Sequence, residues 1–112
     1  RDDPDVEQWG IIETNAAGHV MTINGKGRST GGCSTPLDRR MFAGIHVIDP
    51  ALLSHVPQGI SSSIIDAYIH WLERRAIVSS YPLFGYWSDV GTPTRYAKVQ
   101  RDFESGGFHL PE

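Results

Sequence analysis

Among the 112 residues, the segment whose residue types could best do chemistry is Tyr86-Trp87-Ser88-Asp89-Val90-Gly91-Thr92-Pro93. Two aromatics precede a carboxylate on a strand-to-helix turn, and Thr92-Pro93 opens a helix at once. The free N–H groups and positive dipole end of a helix favour an anion, and an Asp oxygen suits Mg²⁺. The same residues also read as a local cap, Asp89, beside core aromatics. A second candidate is the glycine-rich stretch Gly25 to Pro36, in which Lys26 and Arg28 add charge to backbone N–H groups that could cradle phosphate. It lacks G-x-x-x-x-G-K-[ST] spacing and is not a P-loop; a surface connection is the plainer alternative. The five histidines (His19, His46, His55, His70 and His109) show no H-x-x-x-H, H-E-x-x-H or His/Cys pairing, so zinc is unsupported. Ser61-Ser62-Ser63 reads as helix caps rather than nucleophiles, Cys33 as a loop residue, and Arg39-Arg40 as a solvated pair.

Elements of alternating or periodic apolarity must position these residues. Trp9 to Glu13 and His19 to Ile23 are short β-prone runs joined by Thr14-Asn15-Ala16-Ala17-Gly18, the pattern of a β-hairpin. Met41 to Ile48 is nearly all apolar and predicts a strand buried on both faces. Asp49-Pro50 caps and starts a short helix through Leu53 that Pro57-Gln58-Gly59 ends. Ile64, Ile65, Tyr68, Trp71, Leu72 and Ala76 make the apolar stripe of the main helix, with Ser61 to Ser63 as caps and Asp66 in the first turn. Ile77 to Leu83 alternates as a strand does. Tyr96, Val99 and Phe103 face one way on a last helix that Gly106-Gly107 stops. The chain thus reads as one domain over residues 1–112, of α/β class (α+β-like in isolation), with a mixed sheet, a β-hairpin and three helices.

Composition narrows the function classes. Net charge is −3 with ten scattered cations, which argues against nucleic acid or an acidic membrane as partner. No apolar run approaches the length of a membrane span. A single Cys excludes an internal disulfide framework and fits a reducing cytoplasm. Twelve Gly and seven Pro imply many turns.

Taken in order, the segments resemble the second half of the sugar-1-phosphate nucleotidyltransferases, the family of mannose-1-phosphate guanylyltransferases and glucose-1-phosphate nucleotidyltransferases. Asp3-Pro4-Asp5 through Trp9-Gly10-Ile11-Ile12-Glu13 is similar to the family's DPD…YGVIE strand, and Asn15 to Val20 to its D-x-x-G-R-V turn. Met41 to Pro50 resembles F-[TA]-G-I-H-V-L-D-P, Pro57-Gln58-Gly59 resembles IP-x-G, and Gly85 to Pro93 resembles GYWxDIGTP. Tyr96 and Gln100-Arg101-Asp102 continue as RYLxAxRDL does. The matches run from about residue 2 to residue 103 in family order. The resemblance implies an incomplete nucleotide-diphospho-sugar transferase fold and an activity that joins a nucleoside triphosphate to a sugar 1-phosphate, releasing pyrophosphate, with Mg²⁺ as cofactor. It implies Asp89 as metal ligand, and Gly10, Lys26, Phe42, Gly44 and Trp87 on the sugar-phosphate side of the site; Lys26 falls on the Lys of the family's E-K-P.

The departures are as informative. Gly25 and Gly27 stand where that motif has Glu and Pro, and the 112 residues contain no G-x-G-T-R-L phosphate loop, no first-half Lys and no second metal-binding Asp. The chain opens Arg1-Asp2-Asp3-Pro4, with neither Met nor a signal-peptide pattern, near the junction between the family's two halves. One expectation is therefore a piece of a nucleotidyltransferase, inactive alone, whose partner is the missing N-terminal half. The alternative is a stand-alone remnant acting as a non-enzymatic binding or assembly module. That alternative predicts a homo-oligomer, because an uncovered sheet edge and apolar face demand cover. A third possibility is an unrelated small α/β protein with chance similarity.

Overall fold

A computed structural model describes residues 10–28 and 36–109. The expected motif at Asp3-Pro4-Asp5, the strand start at Trp9, and Ser29 to Thr35 with Cys33 lie outside the described residues. Four strands, β1 (Ile11–Thr14), β2 (Val20–Ile23), β3 (Lys26–Gly27) and β4 (Asp38–Met41), form one sheet in the order β3-β2-β1-β4. Every pairing in it is antiparallel, so the sheet is not mixed as its sequence suggested. A 3-10 helix (Pro50–His55) and two α-helices, α1 (Ile64–Glu73) and α2 (Pro93–Glu104), complete the elements of the described residues as an α+β arrangement.

The β1–β2 hairpin forms where its turn residues place it. Asn15 Oδ1 accepts the N–H groups of Ala17 and His19, both at 3.0 Å, and Gly18 supplies a φ of +77°. This Asx turn satisfies backbone donors that no strand partner reaches. The next connection is tighter than a loop. Asn24 and Gly25 have φ of +51° and +74°, and Ile23 pairs with Lys26. Two consecutive left-handed residues between paired strands are the geometry of the type I′ hairpin that Asn-Gly favours. The start of the expected glycine-rich loop is therefore strand β3.

Helix caps act locally and match their sequence signals. Asp49 accepts the Ala51 N–H at 2.8 Å ahead of Pro50, Ser63 accepts the Ile65 N–H at 3.2 Å, and Thr92 accepts the Arg95 N–H at 3.3 Å ahead of Pro93. The core lies between the sheet and α1: Val20, Ile23, Leu52, Ala67, Tyr68 and Leu72 are buried together, and Ile12, Ile48, Ile65 and Trp71 pack on them.

Three expectations fail, each where the partner is distant in sequence. Met41 to Ile48 is not a buried strand: pairing stops at Met41, and Ile45 and Val47 are 71% and 102% exposed. β4 is bordered by β1 on one side only, and at Gly44 the backbone takes a φ of +76° that leaves the strand path. Ile77 to Leu83 likewise forms no regular strand. His19 and Ser79 make an isolated bridge, Val20 N–H donates to Val78 O, and Ser80 N–H donates to Gly18 O, but Ile77 and Tyr81 face outward. Finally, α2 buries none of its residues, and Tyr96 and Phe103 stay about half exposed. Its apolar face meets Phe108, whose ring centroid lies 5.4 Å from that of Phe103 and 4.2 Å, stacked, from that of Tyr86.

Candidate functional site

The motif residues converge at the end of the sheet where β1 begins and β4 ends. Phe42 N–H donates to Gly10 O at 3.1 Å, and Trp87 Nε1 donates to Ala43 O at 3.2 Å. Gly10 takes a φ of +86° there, with the Asn24 amide 3.5 Å from where a Cβ would stand. Asn24 in turn closes the corner by accepting the Ile11 N–H at 2.9 Å through Oδ1. Gly10, Phe42, Ala43 and Trp87 thus form one connected patch, and Gly44 stands exposed beside it with open space over its Cα.

Lys26 is placed differently. It stands exposed on β3, the sheet edge opposite β4. Three strand spacings of about 4.8 Å separate the two edges, roughly 14 Å. Its flanking glycines answer backbone demands: Gly27 has a φ of +137°, which a Pro fixed near −65° cannot adopt, so the segment is a hairpin and not an E-K-P turn.

Asp89 sits at the entry to α2, two residues beyond Trp87. Its Oδ1 accepts the Gly91 N–H at 3.1 Å, and its Oδ2 receives Arg95 Nη1 at 2.5 Å. Both oxygens are therefore already engaged, and Arg95, one turn into the helix, supplies the countercharge. Among the described residues no group of three His, Cys, Asp or Glu side chains could hold a metal ion. Mg²⁺ sites usually combine one or two carboxylates with substrate phosphates, and here the Asp89 carboxylate is turned to Arg95.

Below the patch opens a cleft of about 580 Å³, apolar in character, walled by Met41, Phe42, Leu52, Tyr68 and Trp71. At its rim His46 Nδ1 lies 2.8 Å from Tyr68 Oη, and the Phe42 ring meets the His46 ring edge-on with centroids 5.8 Å apart. Burial pushes the Tyr68 hydroxyl above the usual tyrosine range. This pair ties the exposed segment 42–48 to α1. Neither it nor the Asp89–Arg95 pair was read from the sequence. The signals were an Arg six residues after the Asp, and a Tyr on the core stripe of a helix beside an apolar run containing His.

Compared with known proteins, the chain matches no family model, no curated protein sequence and no solved structure. Among the described residues no helix is long and apolar enough to cross a membrane.

Proposed function

We propose that the chain carries the sugar-phosphate side of a sugar-1-phosphate nucleotidyltransferase and depends on a nucleotide-binding half to turn over. The observation that carries this reading is the convergence of motif segments distant in sequence: Gly10 with Phe42, and Ala43 with Trp87, joined by hydrogen bonds. In the proposed reaction a sugar 1-phosphate oxygen attacks the α-phosphorus of a nucleoside triphosphate in line, the α–β bridging bond breaks, and pyrophosphate leaves. Backbone groups around Gly10 and Phe42 to Gly44 would line the sugar, Trp87 would fix that segment through Ala43, and Lys26 would have to reach back across the sheet from its opposite edge to pair with the sugar phosphate. In this proposal Mg²⁺ would enter with the substrate's phosphates, with Asp89 as one carboxylate beside it.

The exposed apolar side chains support the need for a second half. Ile45, Val47, Ile77 and Tyr81 face outward on the two segments that failed to form strands, and Phe84 does so just beyond the second. Such surface marks an interaction site. The same observation favours a second reading, a stand-alone homo-oligomeric module, and the two separate by experiment. With nucleoside triphosphate, sugar 1-phosphate and Mg²⁺, the chain alone should release no pyrophosphate; turnover would overthrow the incomplete-site reading. In sedimentation a stable homodimer would favour the module, whereas a monomer that pairs with a nucleotide-binding polypeptide would favour the enzyme half. A monomer that binds no hydrophobic dye contradicts both.

A further inference from the structure

The apolar cleft below the patch takes no part in the reaction proposed above. Its volume of about 580 Å³ falls within the range of roughly 300–1,000 Å³ that small-molecule sites occupy. Its walls belong to the core: Leu52 is buried, whereas Ile12, Ile48, Trp71 and Val78 are only partly covered. Apolar surface left half covered beside an open cavity gains from any apolar group that displaces water there.

Polar groups also line this cleft. His46 stands exposed with Nδ1 2.8 Å from Tyr68 Oη. That hydrogen bond uses one proton of the pair. If the hydroxyl donates, the neutral imidazole carries its proton on Nε2; if Nδ1–H donates, the hydroxyl still has its own. Either way the pair keeps one donor for a ligand. Arg40 is the second group. It stands opposite Ile12 in the β1–β4 ladder, and cross-strand partners share a face of the sheet. Ile12 packs on the core, so Arg40 lies on the core-facing side of the edge strand, in the cleft wall. Its guanidinium contacts Asp38 at 3.7 Å and has five N–H donors to distribute. Among the described residues lining the cleft, Asp49 is the one carboxylate, and its Oδ1 accepts the Ala51 N–H as a helix cap.

We propose that this cleft binds a free medium-chain fatty acid, its chain lying on Leu52, Trp71 and Val78 and its carboxylate meeting Arg40 and the His46–Tyr68 pair. Charge complementarity selects this occupant. A neutral hydrocarbon would fill the walls but cover a guanidinium and a donor without giving them an acceptor, which costs free energy. A small anion would satisfy the donors and gain nothing from the walls. A carboxylate on an apolar chain answers both, and a guanidinium holds it through charge-assisted hydrogen bonds.

The test is a pair of ¹H–¹³C and ¹H–¹⁵N correlation titrations of the protein with octanoate below its micelle concentration, with 1-octanol and acetate as comparison ligands. Octanoate should shift the Trp71 indole, the Leu52 and Val78 methyls and the His46 imidazole along one saturating curve. Acetate should leave the Leu52 and Val78 methyls unmoved, and 1-octanol should bind about tenfold more weakly than octanoate. Arg40→Gln and His46→Gln should each weaken octanoate toward the 1-octanol affinity while leaving 1-octanol itself unchanged, a difference that mere loss of fold would not produce. Equal affinity for 1-octanol and octanoate in the parent would overturn the proposal, and so would the absence of a saturating octanoate shift. Octanoate shifts that spread without saturation to Ile45, Val47 and Phe84 would mark detergent-like adsorption and overturn it as well. None of these outcomes depends on whether a sugar phosphate binds.

Discussion

Replacing Gly27 by Ala isolates the close approach on which the edge hairpin depends. A Cβ at this position would stand 2.8 Å from the Met21 carbonyl oxygen, 3.1 Å from Leu72 Cδ1 and 3.2 Å from Leu72 Cβ. The carbonyl belongs to β2 and cannot yield without breaking the ladder; Leu72 is fully buried at the centre of the core. The residue's φ of +137° adds backbone strain for any L side chain, about 1–3 kcal/mol. Overpacking a core position costs about 1–3 kcal/mol more. Together these predict a loss of about 4 kcal/mol, which at about 4–8 °C per kcal/mol in a small domain lowers Tm by more than ~15 °C. The control is Gly25→Ala, which shares a positive φ of +74° but meets no atom within 4 Å and should lose only about 1 kcal/mol. Urea unfolding of the three proteins, with m constant, measures both. If Gly27→Ala is as stable as the parent, or no worse than Gly25→Ala, β3 does not pack against α1 in this way.

Two further perturbations act nearer the candidate site. Trp87→Phe removes the donor to Ala43 O and should cost about 0.5–1.5 kcal/mol in urea unfolding. Its amide shifts should be confined to residues 42–46 and 85–91, and unmoved Ala43 and Gly44 signals would contradict the link. Asp102 accepts Lys98 Nζ at 2.6 Å and Tyr86 Oη at 2.7 Å, and these two hydrogen bonds, Lys98 first, hold its carboxyl below the ordinary carboxylate value of 3.8. A lowered carboxyl stabilises the fold above that value and loses the contribution as pH falls through its own. Asp102→Asn should therefore flatten the acid limb of a stability–pH curve below about pH 4, and an unchanged limb would show the cluster contributes nothing.

Elements specified by neighbouring residues were legible, and those specified by distant partners were not. The Asn15–Gly18 turn, Asp49-Pro50, Ser63 and Thr92-Pro93 act within four residues, so their types alone dictate the geometry. The Asn24-Gly25 hairpin was equally local and could have been read; the many glycines that follow disguised it as loop. Phe42 to Ile48 and Ile77 to Leu83 carry strand-like apolarity, yet a strand exists only against a neighbour's free edge. The free edges of β3 and β4 pair with neither segment, so both remain irregular, with Ile45, Val47, Ile77 and Tyr81 facing outward. The candidate site divides the same way. Gly10 and Phe42 came together through a backbone bond and Trp87 through its indole N–H to the Ala43 carbonyl, whereas the partner of Asp89 turned out to be Arg95, a side-chain choice that residue type alone leaves open.

The most direct measurement is a ¹⁵N–¹H correlation titration with a sugar 1-phosphate in the presence of Mg²⁺, using inorganic phosphate as the control ligand. The proposed site predicts perturbations of Gly10, Lys26, Gly44 and Asp89 that are weak, saturate only at millimolar concentrations and exceed those caused by inorganic phosphate. No change at any of these four amides, or the same shifts with inorganic phosphate alone, would contradict a sugar-phosphate site on this chain.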